Sequence, residues 1–359
     1  MAKHVIILGA GASAQYGAPV MKNFLDEARK LIGTDKILKH ADSFTRVFKA
    51  ISRLQVAQSK AEFDLINLES IFTAFELAKT LNKFPGLDEG GIGQLVEDLK
   101  WVIVDTLQAK LLFPVNGATI EAHEGTREFI AAIRGRQQLY GKLDIAILTF
   151  NYDLVMDMAI KRAHLGIDYG LAKEPNQAEC LPLLKLHGSL NWTTNAQSEV
   201  VPWFLGQYLK QLQFDNYAGI MRDTPLPIAD QFEHYQNAEG KPEKVDGLPV
   251  IVPPSWNKAD SHRSISKVWS RAAEELTDAS SIYVVGYSLP ETDSFFRQLY
   301  ALGTVGETLL ERFWVFNPDA SREQAFRSML GQGARDRFEF HKCDFKKAMS
   351  TMSEAICQS

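Results

Sequence analysis

Val5-Ile6-Ile7-Leu8-Gly9-Ala10-Gly11-Ala12-Ser13-Ala14 decides the fold of this chain. Four consecutive apolar residues, three of them β-branched, mark a strand buried on both faces, as in a parallel sheet. The strand runs into glycines. Gly9, Gly11 and Ala14 match the G-x-G-x-x-G/A spacing, which supplies a tight turn, close approach of backbone to a pyrophosphate, and a small residue where helix packs on strand. In such a turn the N–H groups at the start of the next helix face the phosphates. Phe24, Leu25, Ala28, Leu31 and Ile32 recur at three- and four-residue spacings and predict that helix over Val20 to Ile32. The plain alternative is a structural glycine turn. A dehydrogenase-type site would place an acidic residue about 20 positions on, at the end of a second strand, whereas Asp26 and Glu27 fall inside the predicted helix. Ribose contacts must then come from elsewhere, and Ser288 and Asn317, each directly after a predicted strand, are candidates.

Downstream, about 34–123 contains no convincing strand. Phe44 to Leu54, Glu62 to Leu81 and Ile92 to Leu112 carry helix-period apolar positions, punctuated by Pro85-Gly86 and Gly90-Gly91. Alternation of helix and buried strand then resumes: helix at Glu128 to Arg134, strand at Ile145 to Thr149, helix at Leu154 to Arg162, strand at Leu183 to Leu186. Residues 191–247 mix prolines, glycines and aromatics, with a helix near Phe204 to Leu212. Strands return at Leu248 to Val252, Ser281 to Val285 and Arg312 to Phe316, separated by helices at His262 to Leu276 and Phe295 to Leu302. This βαβ rhythm predicts an α/β fold with a Rossmann-like parallel sheet and a helical insertion after the first βα unit. The sheet is built from 1–33, 124–190 and 248–359, with the helical insertion at 34–123 and a loop-rich insertion at 191–247.

Composition narrows the function classes. The 359 residues are 45% apolar and 23% charged, ordinary for a globular protein. Acidic residues outnumber basic ones by 44 to 39, a net charge of -5, so no global basic field draws a polyanion and direct nucleic-acid binding is not expected. Cys180, Cys343 and Cys357 are scattered and odd in number, which fits a reducing compartment, the cytoplasm by default, and excludes a four-cysteine zinc site within one chain. Met1-Ala2-Lys3-His4 leads straight into the first strand without a signal-peptide core, and no stretch approaches the roughly 18 to 20 apolar residues of a membrane helix.

Two further segments carry chemistry. Asn151 follows the strand Ile145 to Thr149, and His187 follows the strand Leu183 to Leu186. In open α/β sheets ligands bind outside the carboxyl ends of the strands, so both side chains belong on the rim that holds Gly9 and Gly11. A bond suited to such a rim joins nicotinamide to ribose, because the ring is a pyridinium cation that departs neutral without a general acid. The two carboxylates usual in glycoside hydrolysis are then unnecessary. An amide orients water and ribose hydroxyls, and an imidazole accepts the proton as the oxocarbenium-like centre is captured. Taken singly, Asn151 is an Asx-type turn residue and His187 a buried histidine before a glycine; Asp153 reads first as a helix cap.

In order, Gly9-Ala10-Gly11-Ala12-Ser13, Thr149-Phe150-Asn151-Tyr152-Asp153, His187-Gly188, Gly286-Tyr287-Ser288 and Asn317 resemble the segments that surround NAD in the sirtuin family, and Cys343-Asp344 is similar to its final adenine-side segment. The resemblance spans almost the whole chain. It implies that Asn151 and His187 are catalytic and that Gly9, Ala10, Gly11, Ala12, Ser13, Asp153, Gly286, Ser288, Asn317 and Asp344 bind the cofactor. Three departures set the subtype. Pro19-Val20-Met21 stands where deacylating sirtuins carry Asp-Phe-Arg, no cysteine occurs between Asn191 and Gly247 to form their zinc module, and Val252-Pro253-Pro254-Ser255-Trp256-Asn257 replaces the strand that pairs with an acyl-lysine peptide. Two prolines there remove donors that strand addition uses. Lys185-Leu186-His187-Gly188-Ser189-Leu190-Asn191-Trp192 and Gly286 to Pro290 are similar to bacterial sirtuin-like effectors of antiphage defence, which deplete NAD. The resemblance therefore implies an NAD+ glycohydrolase that uses NAD as substrate, without zinc or other metal, working as a homo-oligomer with a sensor or ATPase partner. A protein deacylase or ADP-ribosyltransferase, and a non-catalytic NAD or ADP-ribose sensor, are the alternatives.

Overall fold

A computed structural model describes residues 3–57, 64–116, 119–172, 180–211, 221–252, 259–290 and 294–358. Seven parallel strands form the central sheet: β1 (His4–Leu8), β2 (Ile145–Thr149), β3 (Gly166–Asp168), β4 (Cys180–Lys185), β5 (Ser281–Val285), β6 (Arg312–Phe316) and β7 (Phe338–His341). Their spatial order is β7-β6-β5-β1-β2-β4-β3. β1 lies between β5 and β2, with His4 opposite Ser281 on one side and Ile145 on the other, and Leu8 opposite Val285 and Thr149. All five residues of β1, β2 and β5 are buried, which is why those strands read as unbroken apolar runs. This is the expected α/β architecture with a parallel sheet.

Several elements differ from expectation. The helix foreseen over Val20 to Ile32 is confined to Phe24–Arg29, and a tight 3-10 helix, Ala10–Tyr16, directly follows β1. Gly17 at φ +84° ends that turn, and the Asn23 side chain accepts the Val20 N–H in the bend that follows. Residues 34–123 hold the three anticipated helices, Ala41–Ala57, Leu68–Leu81 and Glu89–Lys110. They also hold a hairpin that the sequence reading lacked: Phe113–Asn116 pairs with Thr119–Ile120 and, on its other side, with Met221–Thr224. These strands are two to four residues long and Pro114 interrupts the first, so no periodicity betrays them. The hairpin ties the helical segment to the loop-rich one, whose core is aromatic, with Trp203 packed on Tyr208, Phe232 and Tyr235. Leu248 to Val252 contributes only Val250–Ile251, and this pairs with Gly188–Ser189 outside the main sheet. The short edge strands β3 and β7 were likewise unforeseen. Among the described residues no helix is long and apolar enough to cross a membrane.

Candidate functional site

A cavity of about 650 Å³ opens at the carboxyl ends of β1, β2, β4, β5 and β6. Its wall includes Ala10 and Gly11 after β1, Asn151 after β2, His187 after β4, Gly286 and Ser288 after β5, and Asn317 after β6. Seven of the twelve site residues anticipated from sequence thus share one surface. That follows from the topology, since every strand of the sheet runs in the same direction and delivers its trailing loop to the same rim.

The glycines act on one another. A Cβ on Gly9 would lie 2.5 Å from Tyr287 Cα, one on Gly11 would lie 2.9 Å from Gly286 Cα, and one on Gly286, itself at φ +64°, would lie 2.5 Å from the Ala12 nitrogen. Gly9 N–H donates to Val285 O at 3.0 Å, Gly11 N–H to Gly286 O at 2.9 Å, and Ala12 N–H to Gly9 O at 2.9 Å. The absent side chains make room for a seam between two loops, and three N–H groups of the motif are spent inside the protein. In this structure the glycines bring the two loops together; the space they clear is not open to a pyrophosphate at those three donors.

Asn151 is held firmly. Its Nδ2 donates to Gly9 O at 2.9 Å and to Ser13 Oγ at 3.1 Å, while its backbone N–H donates to Thr149 Oγ1 at 3.1 Å. A carbonyl such as Gly9 O only accepts, so the amide nitrogen must face the loop, and Oδ1 is the end left for a ligand. An acceptor there suits a water or a ribose hydroxyl. His187, also in the cavity lining, is buried edge-on to Phe150 at 5.1 Å, and its carbonyl accepts from Val252 N–H at 2.8 Å. Phe150 in turn stacks on Tyr287 at 4.5 Å and meets Phe296 edge-on, an apolar floor that fixes both rings.

Gly9, Ala12, Ser13 and Asp153 lie behind the wall. Asp153 is buried, its Oδ1 accepts the Val155 N–H at 2.9 Å just before the helix Val155–Arg162, whose N-cap is Leu154, and the Ser13 hydroxyl bonds to it. Burial pushes its carboxyl up, against the pull of the neighbouring Lys185 ammonium. Asn317 reaches the cavity with both ends of its amide engaged: Nδ2 donates to Tyr287 O at 3.1 Å and Oδ1 accepts from Asp319 N–H at 2.9 Å, so it shapes the β5 loop. Asp344 stands apart from the cavity, exposed, accepting the Lys347 N–H at the start of the last helix.

The sequence reading missed a whole wall. Asp64, Ile66, Asn67, Glu69 and Ser70, around the start of helix Leu68–Leu81, face the cavity, as do Met21, Tyr152 and Arg322. Asp64 Oδ1 accepts from Ile66 and Asn67 N–H, and Asn67 Oδ1 caps the helix through Glu69 N–H, so this rim is a locked turn. The helix-period reading of Glu62 to Leu81 carried no local signal of where this turn would dock. Residues 253–257, on which the loss of a peptide-pairing strand was argued, lie outside the described residues. Among the described residues one group offers clustered metal donors, His40, Asp105 and Asp230, within 4.8 Å of one another and away from the cavity. His40 Nδ1 and Asp105 Oδ2 pair directly at 2.9 Å.

These features define an α/β protein with a cavity at the carboxyl rim of a seven-stranded parallel sheet. No described protein family matches the chain, and no curated protein does. Among solved structures it is similar to a Sir2 homologue mutant in complex with ADP-ribose, at 12% identity and TM-score 0.38 over 100% of this chain and 93% of that one. It is also similar to a Sir2 enzyme at 13% identity and TM-score 0.39, over 99% and 93%. A third likeness is to a Sir2 homologue in complex with NAD, at 12% identity and TM-score 0.36, over 99% and 90%.

Proposed function

We propose that the chain is an NAD+ glycohydrolase. The observation that carries this is the convergence of Asn151 and His187, from the ends of β2 and β4, on one cavity whose size falls within the roughly 300–1,000 Å³ of small-molecule and cofactor sites. Asn151 Oδ1 orients a ribose hydroxyl or the attacking water. The nicotinamide–ribose C–N bond breaks with its electron pair going to the ring nitrogen, so nicotinamide leaves neutral. Water then forms the new C–O bond at the oxocarbenium-like carbon, and its proton passes to His187. The products are nicotinamide, ADP-ribose and a proton. On this reading Ala10 and Gly11, Gly286, Ser288 and Asn317 form the dinucleotide's bed, with Gly9, Ala12, Ser13 and Asp153 supporting it.

The likeness of Lys185 to Trp192 to antiphage effectors extends the reading to a bacterial defence protein that depletes NAD in the cytoplasm, as an oligomer with a sensor or ATPase partner. The test is chromatography of NAD incubated with the purified protein, beside Asn151→Ala and His187→Ala. Nicotinamide and ADP-ribose from the wild type, with losses of about 100-fold or more in both variants, are expected. Equal turnover in all three sinks the residue roles. Turnover that requires a peptide acceptor replaces hydrolysis by deacylation or ADP-ribosyl transfer, and tight NAD binding without turnover replaces it by a sensor.

A further inference from the structure

Asn151 also lines a second, small space of about 10 Å³, room for about one water. It is lined by Ser13, Asn151, Asp153, Asp157 and Lys185, with Leu8 and Met156 among the apolar walls. Asp157 and Lys185 are each 1% exposed. Lys185 Nζ donates to Asp157 Oδ2 at 2.9 Å and to the Asp153 carbonyl at 2.5 Å. Tyr169, whose phenol burial and the Asp157 charge keep protonated, donates to Asp157 Oδ1 at 2.6 Å and accepts from Asn191 Nδ2 at 3.2 Å. Burying two carboxylates and an ammonium is expensive, and an apolar trio of the same volume would hold the fold as well or better. What the charges add is a fixed geometry. We propose that Lys185, anchored by Asp157 and Tyr169, is the positioning residue for the Asn151 amide, acting through Asp153 and Ser13 so that Oδ1 faces the cavity.

Two routes connect them. Lys185 grips the main chain of Asp153, two residues past Asn151, and its charge pulls against the burial that pushes up the Asp153 carboxyl, which bonds Ser13, whose Oγ accepts from Asn151 Nδ2. The proposal rests on the reading of Asn151 as a ligand-facing amide, and its test separates the two. In protein carrying ¹⁵N-labelled asparagine, the Asn151 side-chain NH₂ signals are identified by their loss in Asn151→Ala. The double variant Lys185→Met with Asp157→Asn leaves no unpaired charge on Asp157 and keeps an acceptor for Tyr169. In a folded double variant the Asn151 signals are expected to broaden or shift toward those of mobile amides, while NAD turnover falls about 100-fold in kcat with KM within about twofold, the scale of a roughly 1 Å misplacement. Unchanged Asn151 signals overturn the proposal. If the double variant fails to fold, Tyr169→Phe decides in the same way, with a smaller shift expected and no shift overturning it. A wild type silent toward NAD bears on the glycohydrolase reading alone, since the amide signals still decide the positioning role.

Discussion

Gly286 shows what a single hydrogen in place of a methyl does here. Its φ of +64° disfavours any side chain, and the Cβ of Gly286→Ala would fall 2.5 Å from the Ala12 nitrogen, forcing the two loops apart. Gly141 has a similar φ, +69°, with nothing within 4 Å. Gly141→Ala should therefore cost about 1–2 kcal/mol from backbone conformation alone, and Gly286→Ala distinctly more, with ligand binding lost; thermal melts and calorimetry of the two variants compare them. His4 offers a second residue-scale test. Burial, reinforced by the Arg136 charge, lowers its pKa from 6.5 to about 4. The unfolded chain takes up the proton near pH 6.5 and the folded one resists it down to about pH 4, so stability falls as pH drops through that window, by roughly 3 kcal/mol in all, and this contribution is flat below it. A His4→Phe variant should lose that part of the acid sensitivity; an unchanged pH slope of the melting temperature would contradict it. At this scale the sequence was informative about identity and poor about use. Gly9 and Gly11 were visible as a loop motif, but their neighbours at 286 and 287 lie far along the chain, so their service to a loop seam had no local signature.

Elements explain the rest of the site's legibility. β1, β2 and β5 are buried on both faces and announce themselves as apolar runs, whereas β7 sits at the sheet edge with only Phe338 fully buried and gives no such run. Helices of the 34–123 segment were readable from their spacing, yet their contribution to the cavity was not, because it comes from a turn. That turn depends on how the helices are held. Arg46 grips Asp98 through two bonds of 2.7 Å, joining helix Ala41–Ala57 to helix Glu89–Lys110, and Asp98 is 1% exposed. Arg46→Ala leaves the buried carboxylate with the Ser43 hydroxyl as its remaining close donor and should cost about 1–3 kcal/mol, seen as a lower denaturant midpoint. If the turn at 64–70 forms a working wall, ligand affinity should fall in the same variant while Asn151 chemistry persists at saturation.

At the scale of the whole molecule, the cavity is assembled from loops that follow five strands together with the turn at 64–70, and the sheet order places β1 at its centre, between β2 and β5, each more than a hundred residues from it along the sequence. Light scattering of the purified protein tests the expected homo-oligomer; a monomeric mass would contradict it. The loop seam has a consequence for biosynthesis. Gly9 and Gly11 meet their counterpart only when residue 286 has been made, and Asn317 adds its brace to Tyr287 later still. A chain still on the ribosome, or one cut short by a nick or a premature stop, holds Asn151 and His187 but half a binding floor. On the proposed reading of an enzyme that consumes the cell's NAD, translation itself would then work as a safety catch, because the floor is completed only by residues 286 to 317.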